Sequence, residues 1–355
     1  MTFNDDQFDS LLSGLLEAYS PSHEERHAAD YLSGWMRSAG FDQAFVDEAG
    51  NAVGVLGNGP QEIVLLGHID TVSGYIKVEV RDGKLYGRGS VDAKGPLATF
   101  AAAAAQAGAQ SGWRIVVVGA VEEEAATSKG ARFAATQYHP ALCVIGEPSQ
   151  WDRVTLGYKG RLLLDYRCSR TMSHTAGPDR SASEQAVAFW NAISAEASAI
   201  NAGRDKIFEQ VQPSLRAIRS SDDGFHEIAE MTLGFRLPLD MPPDTLIPRL
   251  LAYAENAEIS FRGSEVAYRA ERNTRLVRAF NNAIRDEGSK PGYVFKTGTS
   301  DMNVVGPIWN CPIVAYGPGD SSLDHTPEEH IILDDYHHGI GVLTRVLTSL
   351  SESEA

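Results

Sequence analysis

The chain has 355 residues, long for one hydrophobic core and ample for two domains. With 43% hydrophobic and 22% charged residues it has the composition of a globular protein, and a formal net charge of −16 with no lysine/arginine cluster argues against nucleic acid or an anionic membrane as partner. No run approaches the roughly 18 apolar residues that a membrane span needs, and the acidic start MTFNDDQFDS lacks the basic-then-apolar order of a secretory leader, so a cytoplasmic protein is expected.

In chain order, apolar residues recur at helical spacing from Phe8 to Glu17, and a second amphipathic helix is predicted over 23–39, with Ser22 as its N-cap and Gly40 as its stop. NAVGVL (51–56) follows as a strand. IVLLGHID (63–70) begins with the continuous apolar run of a strand covered on both faces. Residues 80–86 read as a short hairpin turning at Asp82-Gly83. GRGSVDAKGP (87–96) is a glycine-rich loop, and its Pro96 fits the first turn of a long alanine-rich helix. RIVVVGAV (114–121) is another buried strand, ending in Glu122-Glu123-Glu124; LCVI (142–145) is the next, ending at GEPS. Strands alternating with helices predict an α/β fold with a mostly parallel sheet and right-handed crossovers.

The pattern changes near Thr155. VTLGYKGRLLLDYRCS (154–169) alternates like one half-exposed strand, and a helix over 183–199 follows. A strand over 230–240, a helix over 244–256 and a strand over 257–268 complete an inserted α+β domain, placed at 157–270. Helix–strand alternation then resumes with a helix over 274–286, the buried strand CPIVAYG (311–317) and a helix over 333–350, so that 1–156 and 271–355 form the main domain. The cysteines Cys143, Cys168 and Cys311 lie far apart with no CxxC pair, which indicates neither a disulfide scaffold nor a cysteine zinc site.

Ligands of parallel α/β sheets bind outside the carboxyl ends of the strands. His68 and Asp70 end one apolar strand, Glu122 to Glu124 end another, and Glu147 ends a third; Asp92 lies in the glycine-rich loop and His325 in the loop after CPIVAYG. Each residue alone also suits a hydrogen-bonded surface position. Together they converge, and converging carboxylates repel unless cations neutralise them. Two histidines and three carboxylates suit a pair of zinc-like ions.

GHIDTV, GRGSVDAKGP, EEEAATSKGA, GEPS and LDHTPEEH resemble, in order and spacing, the five metal-site motifs of the acetylornithine deacetylase / succinyl-diaminopimelate desuccinylase family, and the resemblance covers the whole chain. It implies two divalent metal ions, zinc or cobalt. His68 and Glu147 would hold one, Glu124 and His325 the other, and Asp92 would bridge them. It also implies that Asp70 orients His68 and that Glu123 is the general base of an amide hydrolase. The insert resembles the family's lid and dimerisation domain, so a homodimer is implied. In SHTAGPDRSASE, His174 matches a histidine that reaches the neighbouring subunit's active site. Arg236, in LGFRLPLD, matches a substrate-carboxylate arginine, for which a surface ion pair is the equal alternative, and KTGTSDMN resembles a substrate loop with Thr299, Ser300, Asp301 and Asn303.

Within the family, GTSDMN, the FRLP strand and the compact length come nearest to the branch of LysW-lysine/ornithine hydrolases. That branch releases lysine or ornithine from the C-terminal glutamate side chain of a small acidic amino-group carrier protein. Desuccinylases usually carry GTSDGR where this chain has Met302-Asn303, so an arginine for a second substrate carboxylate is missing. An N-acyl amino acid deacylase, a dipeptidase and a non-catalytic binding protein on the same fold remain as alternatives; loss of Glu123 or of a ligand would signal the last, and all are present. No G-x-S-x-G elbow supports a serine hydrolase, and Gly87-x-Gly89 without a Walker lysine does not support a nucleotide enzyme.

Overall fold

The computed structural model describes residues 3–174 and 177–350, and the chain divides into two compact units. Among the described residues, one unit holds everything up to Gly157, Ala270–Phe295 and the chain from Ser300 onward; the other holds Tyr158–Arg269 with Lys296–Thr299.

The first unit is built on a central sheet. Its strands run in spatial order Gln43–Val46, Ala52–Leu56, Trp113–Ala120, Gln61–His68, Leu142–Gly146, Ile313–Tyr316 and Arg153–Tyr158. Trp113–Ala120, Gln61–His68, Leu142–Gly146 and Ile313–Tyr316 are mutually parallel, and antiparallel strands flank them on both sides. Both faces of the parallel strands are covered, which explains why their sequences are apolar without alternation. The alanine-rich helix Lys94–Ala107 is buried from Lys94 to Ala104 and packs on Gln61–His68 and on the helix Leu333–Ser349. Its small side chains permit that close approach. Asp82-Gly83, both at positive φ, turn the hairpin of Glu79–Arg81 and Lys84–Tyr86 as the sequence indicates.

The second unit is a four-stranded antiparallel sheet in the order Gln212–Asp222, His226–Leu237, Gly160–Thr171, Glu258–Glu265. One face supplies Leu162, Leu164, Met231, Leu233 and Phe235 to a core shared with Phe189 and Ile193 of the helix Ala182–Ile200 and with Leu246 and Leu250 of the helix Pro243–Leu251. The other face carries charge, in the pairs Arg262–Asp165, Arg167–Glu230 and Arg219–Glu230. Among the described residues no helix is long and apolar enough to cross a membrane.

Several local expectations are corrected. VTLGYKGRLLLDYRCS is two strands, Arg153–Tyr158 in the central sheet and Gly160–Thr171 in the second, broken at Lys159. Within the second unit the buried Lys159 ammonium donates to the carbonyls of Ile207 and Gln210 and to Gln212 Oε1. The helix over 244–256 ends at Leu251, because Tyr253 and Ala254 tighten into i→i+3 bonds and Glu255 adopts a positive φ of 47°. The helix after Ser22 starts at Arg26, with Glu25 at the cap position, so Ser22 is not its N-cap. KTGTSDMN is not all loop: its last three residues begin the helix Asp301–Trp309.

Candidate metal centre

Strand register brings the ligand segments to one level. His68 pairs with Ala120, while Gly67 and Tyr316 both pair with Gly146, so the carboxyl ends of the four parallel strands finish side by side. Glu147 follows directly, and a side chain on Gly146 would come within 2.8 Å of Gly67 Cα, so this close approach requires glycine. Glu124 leaves the end of Trp113–Ala120 after a turn in which Glu122 takes a positive φ. The loops after Tyr86 and after Leu323 bring in Asp92 and His325.

Asp92 stands between the two histidines. Its Oδ1 lies 3.2 Å from His68 Nε2 and its Oδ2 lies 3.0 Å from His325 Nε2. His325 Nε2 is also 2.8 Å from Glu124 Oε1. His68 Nδ1 donates to the backbone carbonyl of Asp70 at 3.0 Å, which directs Nε2 at Asp92. Glu147 is buried, and its charge, with those of Asp301 and Glu124, acts on Glu123. The sequence-chosen residues of the first unit are thus brought together.

The electrostatics are those of a carboxylate cluster short of positive charge. Burial lowers the His68 pKa, but its bonds to Asp70 and Asp92 and the nearby Glu123 charge outweigh burial and hold it well above the usual histidine value. Hydrogen bonds to Asp92 and Glu124 push His325 up to about 10. Asp92 sits far below the carboxylate range, since the two histidines overcome its burial. Glu123 is raised well above its ordinary value, first by burial and then by Glu147, Asp301 and Glu124, against the opposing pull of His68. A raised carboxyl is a stronger base near neutral pH.

Asp70 does more than orient a ring. Its carboxylate lies 3.5 Å from His68 Nδ1, farther than its own backbone carbonyl. It accepts the backbone N–H groups of Glu123 at 3.0 Å and Glu124 at 3.1 Å, and the Ser22 hydroxyl at 2.7 Å. Ser22 therefore serves the centre, and Glu25 helps by accepting the N–H of Glu122 at 3.2 Å. Glu329 is wholly buried and accepts the N–H groups of Gly89, Val91 and Asp92, while Lys94, also buried, donates to the Leu15 and Ala18 carbonyls. Burial without enough charge compensation lowers the Lys94 pKa to about 7. Sequence reasoning missed Glu25, Glu329 and Lys94. Serine and glutamate in polar loops carry no periodic signal, and only the fold shows where they point.

The substrate-loop residues divide. Ser300 and Asn303 form a reciprocal capping box: Ser300 Oγ accepts from Met302 N, and Asn303 Oδ1 accepts from Ser300 N. Asp301 is buried at the start of that helix, where its charge reaches Glu123. In the second unit Arg236 NH1 donates to Thr299 Oγ1 at 2.8 Å. His174 is exposed in the second unit; Thr175 and Ala176 of the same motif lie outside the described residues.

Asp92, Glu124 and His325 each offer a ligand atom, and the three atoms lie within 4.8 Å of one another. Mixed nitrogen and oxygen donors of this kind fit a zinc-class divalent cation. His68, on the other oxygen of Asp92, with Glu147 nearby, offers donors of the same chemistry for a second ion.

Comparison with known proteins gives the chain a family. The profile described as Peptidase family M20/M25/M40 matches residues 64–349. A LysW-lysine hydrolase of Deinococcus radiodurans is 47% identical over 340 residues, 93% of this chain and 93% of its own length. A LysW-lysine/LysW-ornithine hydrolase of Saccharolobus islandicus is 29% identical over 95% of this chain and 93% of its own. Among solved structures, an M20 family metallo-carboxypeptidase of Sulfolobus solfataricus superimposes with a TM-score of 0.80 at 17% identity, covering 97% of this chain and 99% of that one, which shows the shared fold.

Proposed function

This chain belongs to peptidase family M20/M25/M40 and is a hydrolase, and on that premise we propose that it releases lysine, or ornithine, from the C-terminal glutamate of a small acidic amino-group carrier protein. It would do so in amino-acid biosynthesis, as a cytoplasmic homodimer. The substrate reading is supported by the names of curated relatives that match nearly the whole chain. The single structural observation that carries the chemistry is the Asp92 carboxylate, with one oxygen on each histidine.

His68 and Glu147 would hold one divalent ion, zinc or cobalt, and Glu124 and His325 the other, with Asp92 contributing to both. When bound, the ions supply Lewis-acid polarisation of the amide carbonyl and lower the pKa of the attacking water. Glu123 takes the proton of that water and returns it to the amine nitrogen as the C–N bond breaks. Asp70 holds the Glu123–Glu124 turn still through its two backbone bonds. Arg236 and the Thr299 hydroxyl bind the α-carboxylate of the released amino acid, for which an arginine fork is suited. His174 donates to the developing oxyanion of a partner copy.

The test is a panel of carrier-protein lysine, carrier-protein ornithine, N-acetylornithine and succinyl-diaminopimelate, each with and without a chelator. The carrier conjugates should turn over fastest and chelation should stop them. Faster cleavage of N-acetylornithine would make the enzyme a deacetylase, and full turnover in a preparation shown to be metal-free would remove the metal mechanism.

A further inference from the structure

Among the buried charges in the first unit, Glu329 is tied to the loop that carries Asp92 without being a ligand. It lies four residues after His325 and is wholly buried. Its Oε1 accepts three backbone N–H groups of one loop, from Gly89 at 3.1 Å, Val91 at 3.0 Å and Asp92 at 3.1 Å. Its Oε2 accepts from Arg88 NH1 at 2.7 Å. The same Arg88 nitrogen donates to the carbonyl of Thr326, the neighbour of His325, at 3.1 Å, and Arg88 Nε donates to the carbonyl of Gly74 at 2.9 Å. Gly89 takes a positive φ of 88° to present its N–H. One carboxylate therefore fixes the ligand-bearing residue Asp92 by its own amide, and one guanidinium joins that loop to the loop of His325.

We infer that Glu329 is a positioning residue that sets how tightly the centre holds its metal ions, by holding Asp92 and, through Arg88, His325. The inference rests on the metal-centre reading above. Its physical basis is the cost of moving any part of the cradle. Three N–H groups converge on one buried oxygen, so displacing any part of the loop leaves a buried donor unpaired and the loop has one low-energy place. The charge is balanced by Arg88, so the cradle adds rigidity without adding net charge beside the ligands. Partners of this kind behind metal ligands are worth about 10- to 100-fold in metal affinity.

Two variants separate positioning from bulk stability. Glu329→Gln keeps the shape but turns an amide N–H₂ toward Arg88. Glu329→Asp keeps the charge and withdraws it by one methylene. Thr274→Ala is the control, because it removes an N-cap of the helix Arg275–Asp286 without touching the ligand loops. Each purified full-length metal-free protein is titrated with Co²⁺, read by its visible absorption, and with Zn²⁺ in competition with a chelating dye; a thermal melt is recorded alongside. Both Glu329 variants should raise a metal dissociation constant about 10- to 100-fold. They should change the cobalt spectrum, and Glu329→Asp should recover kcat at raised metal with KM unchanged. Thr274→Ala should melt earlier with unchanged metal affinity. Wild-type affinity and spectrum in a folded Glu329→Asp would overturn the inference, as would failure of both Glu329 variants to fold, which would make the residue purely structural. A wild-type protein that takes up neither ion would overturn the metal-centre reading instead, and it shows itself before any variant is compared.

Discussion

The two units differ in how their acidic residues are answered. Tyr158–Arg269 and Lys296–Thr299 together hold 14 lysines and arginines against 15 acids, whereas the rest of the chain holds 17 against 32, so the units carry net charges of −1 and −15. In the second unit charge answers charge across an exposed sheet face, as in Arg262–Asp165 at 2.7 Å. In the first, buried carboxylates are answered largely by the backbone: Asp70 and Glu329 between them accept five N–H groups from the loops that carry ligands. A surface ion pair tolerates movement of either partner, while a backbone cradle fixes a loop to within a hydrogen bond. The difference teaches where substitutions should be felt as chemistry and where they should hardly be felt.

The sharpest test of that contrast is Glu123→Gln. It should retain the metals and lose on the order of 10²- to 10⁴-fold in kcat, measured at saturating substrate with metal content checked by elemental analysis. Loss of metal instead would move Glu123 into the ligand set. The comparison would be broken in the other direction by His174, which sits in the unit of tolerant charges yet is assigned to catalysis. His174→Ala should cost roughly 10²- to 10³-fold in kcat. Mixing His174→Ala with Glu123→Gln subunits should restore activity, because one site of each heterodimer then has both groups. Heterodimers that form and stay inactive would confine His174 to its own subunit or to no catalytic role.

A smaller effect is expected at Asp70, where the cradle rather than the chemistry is at stake. Asp70→Asn should weaken metal binding by about 10- to 100-fold, since an amide cannot accept all the N–H and O–H donors that now meet the carboxylate. Unchanged affinity would show that the turn of Glu123 and Glu124 holds itself. The smallest effect belongs to the second unit. Arg262→Ala should lower stability by about 0.2–1 kcal/mol and leave kcat alone, as read by denaturant melts and steady-state rates. Arg262 is the main cause of the depressed Asp165 pKa, followed by burial, which opposes it, and then by Thr232. The carboxylate is therefore ionised more readily in the folded state. The contribution of the pair is present above the ordinary value of 3.8 and lost as pH falls through the lower folded value, so the difference between the two proteins should shrink in acid.

The same contrast explains what could be read from the sequence. His68, Asp92, Glu124, Glu147 and His325 stand at the ends of apolar strands or in adjoining loops, and the parallel sheet brings such positions together, so their convergence was legible from strand order. Ser22 was visible as a polar residue beside a helix, but its hydroxyl turns to Asp70, a partner 48 residues away. No local pattern encodes that choice. The strand Gln212–Asp222 was not foreseen because most of it is exposed on both faces, leaving no alternation to read. The helix Asp301–Trp309 was hidden by Gly306 and Pro307, which suit a loop as a local sequence and are tolerated here inside the folded unit.

The central sheet also dictates an order of assembly. Its strand Ile313–Tyr316 pairs with Leu142–Gly146, and Tyr336 near the chain's end donates to the Phe8 carbonyl near its start. During synthesis, then, the first half of the catalytic unit must wait with an unpaired strand edge while more than a hundred residues of a different unit emerge. Those residues are nearly contiguous, lacking only Lys296–Thr299, and can collapse on their own core first. The edge of Leu142–Gly146 therefore stands open to pairing with other chains in the interval before Ile313–Tyr316 leaves the ribosome.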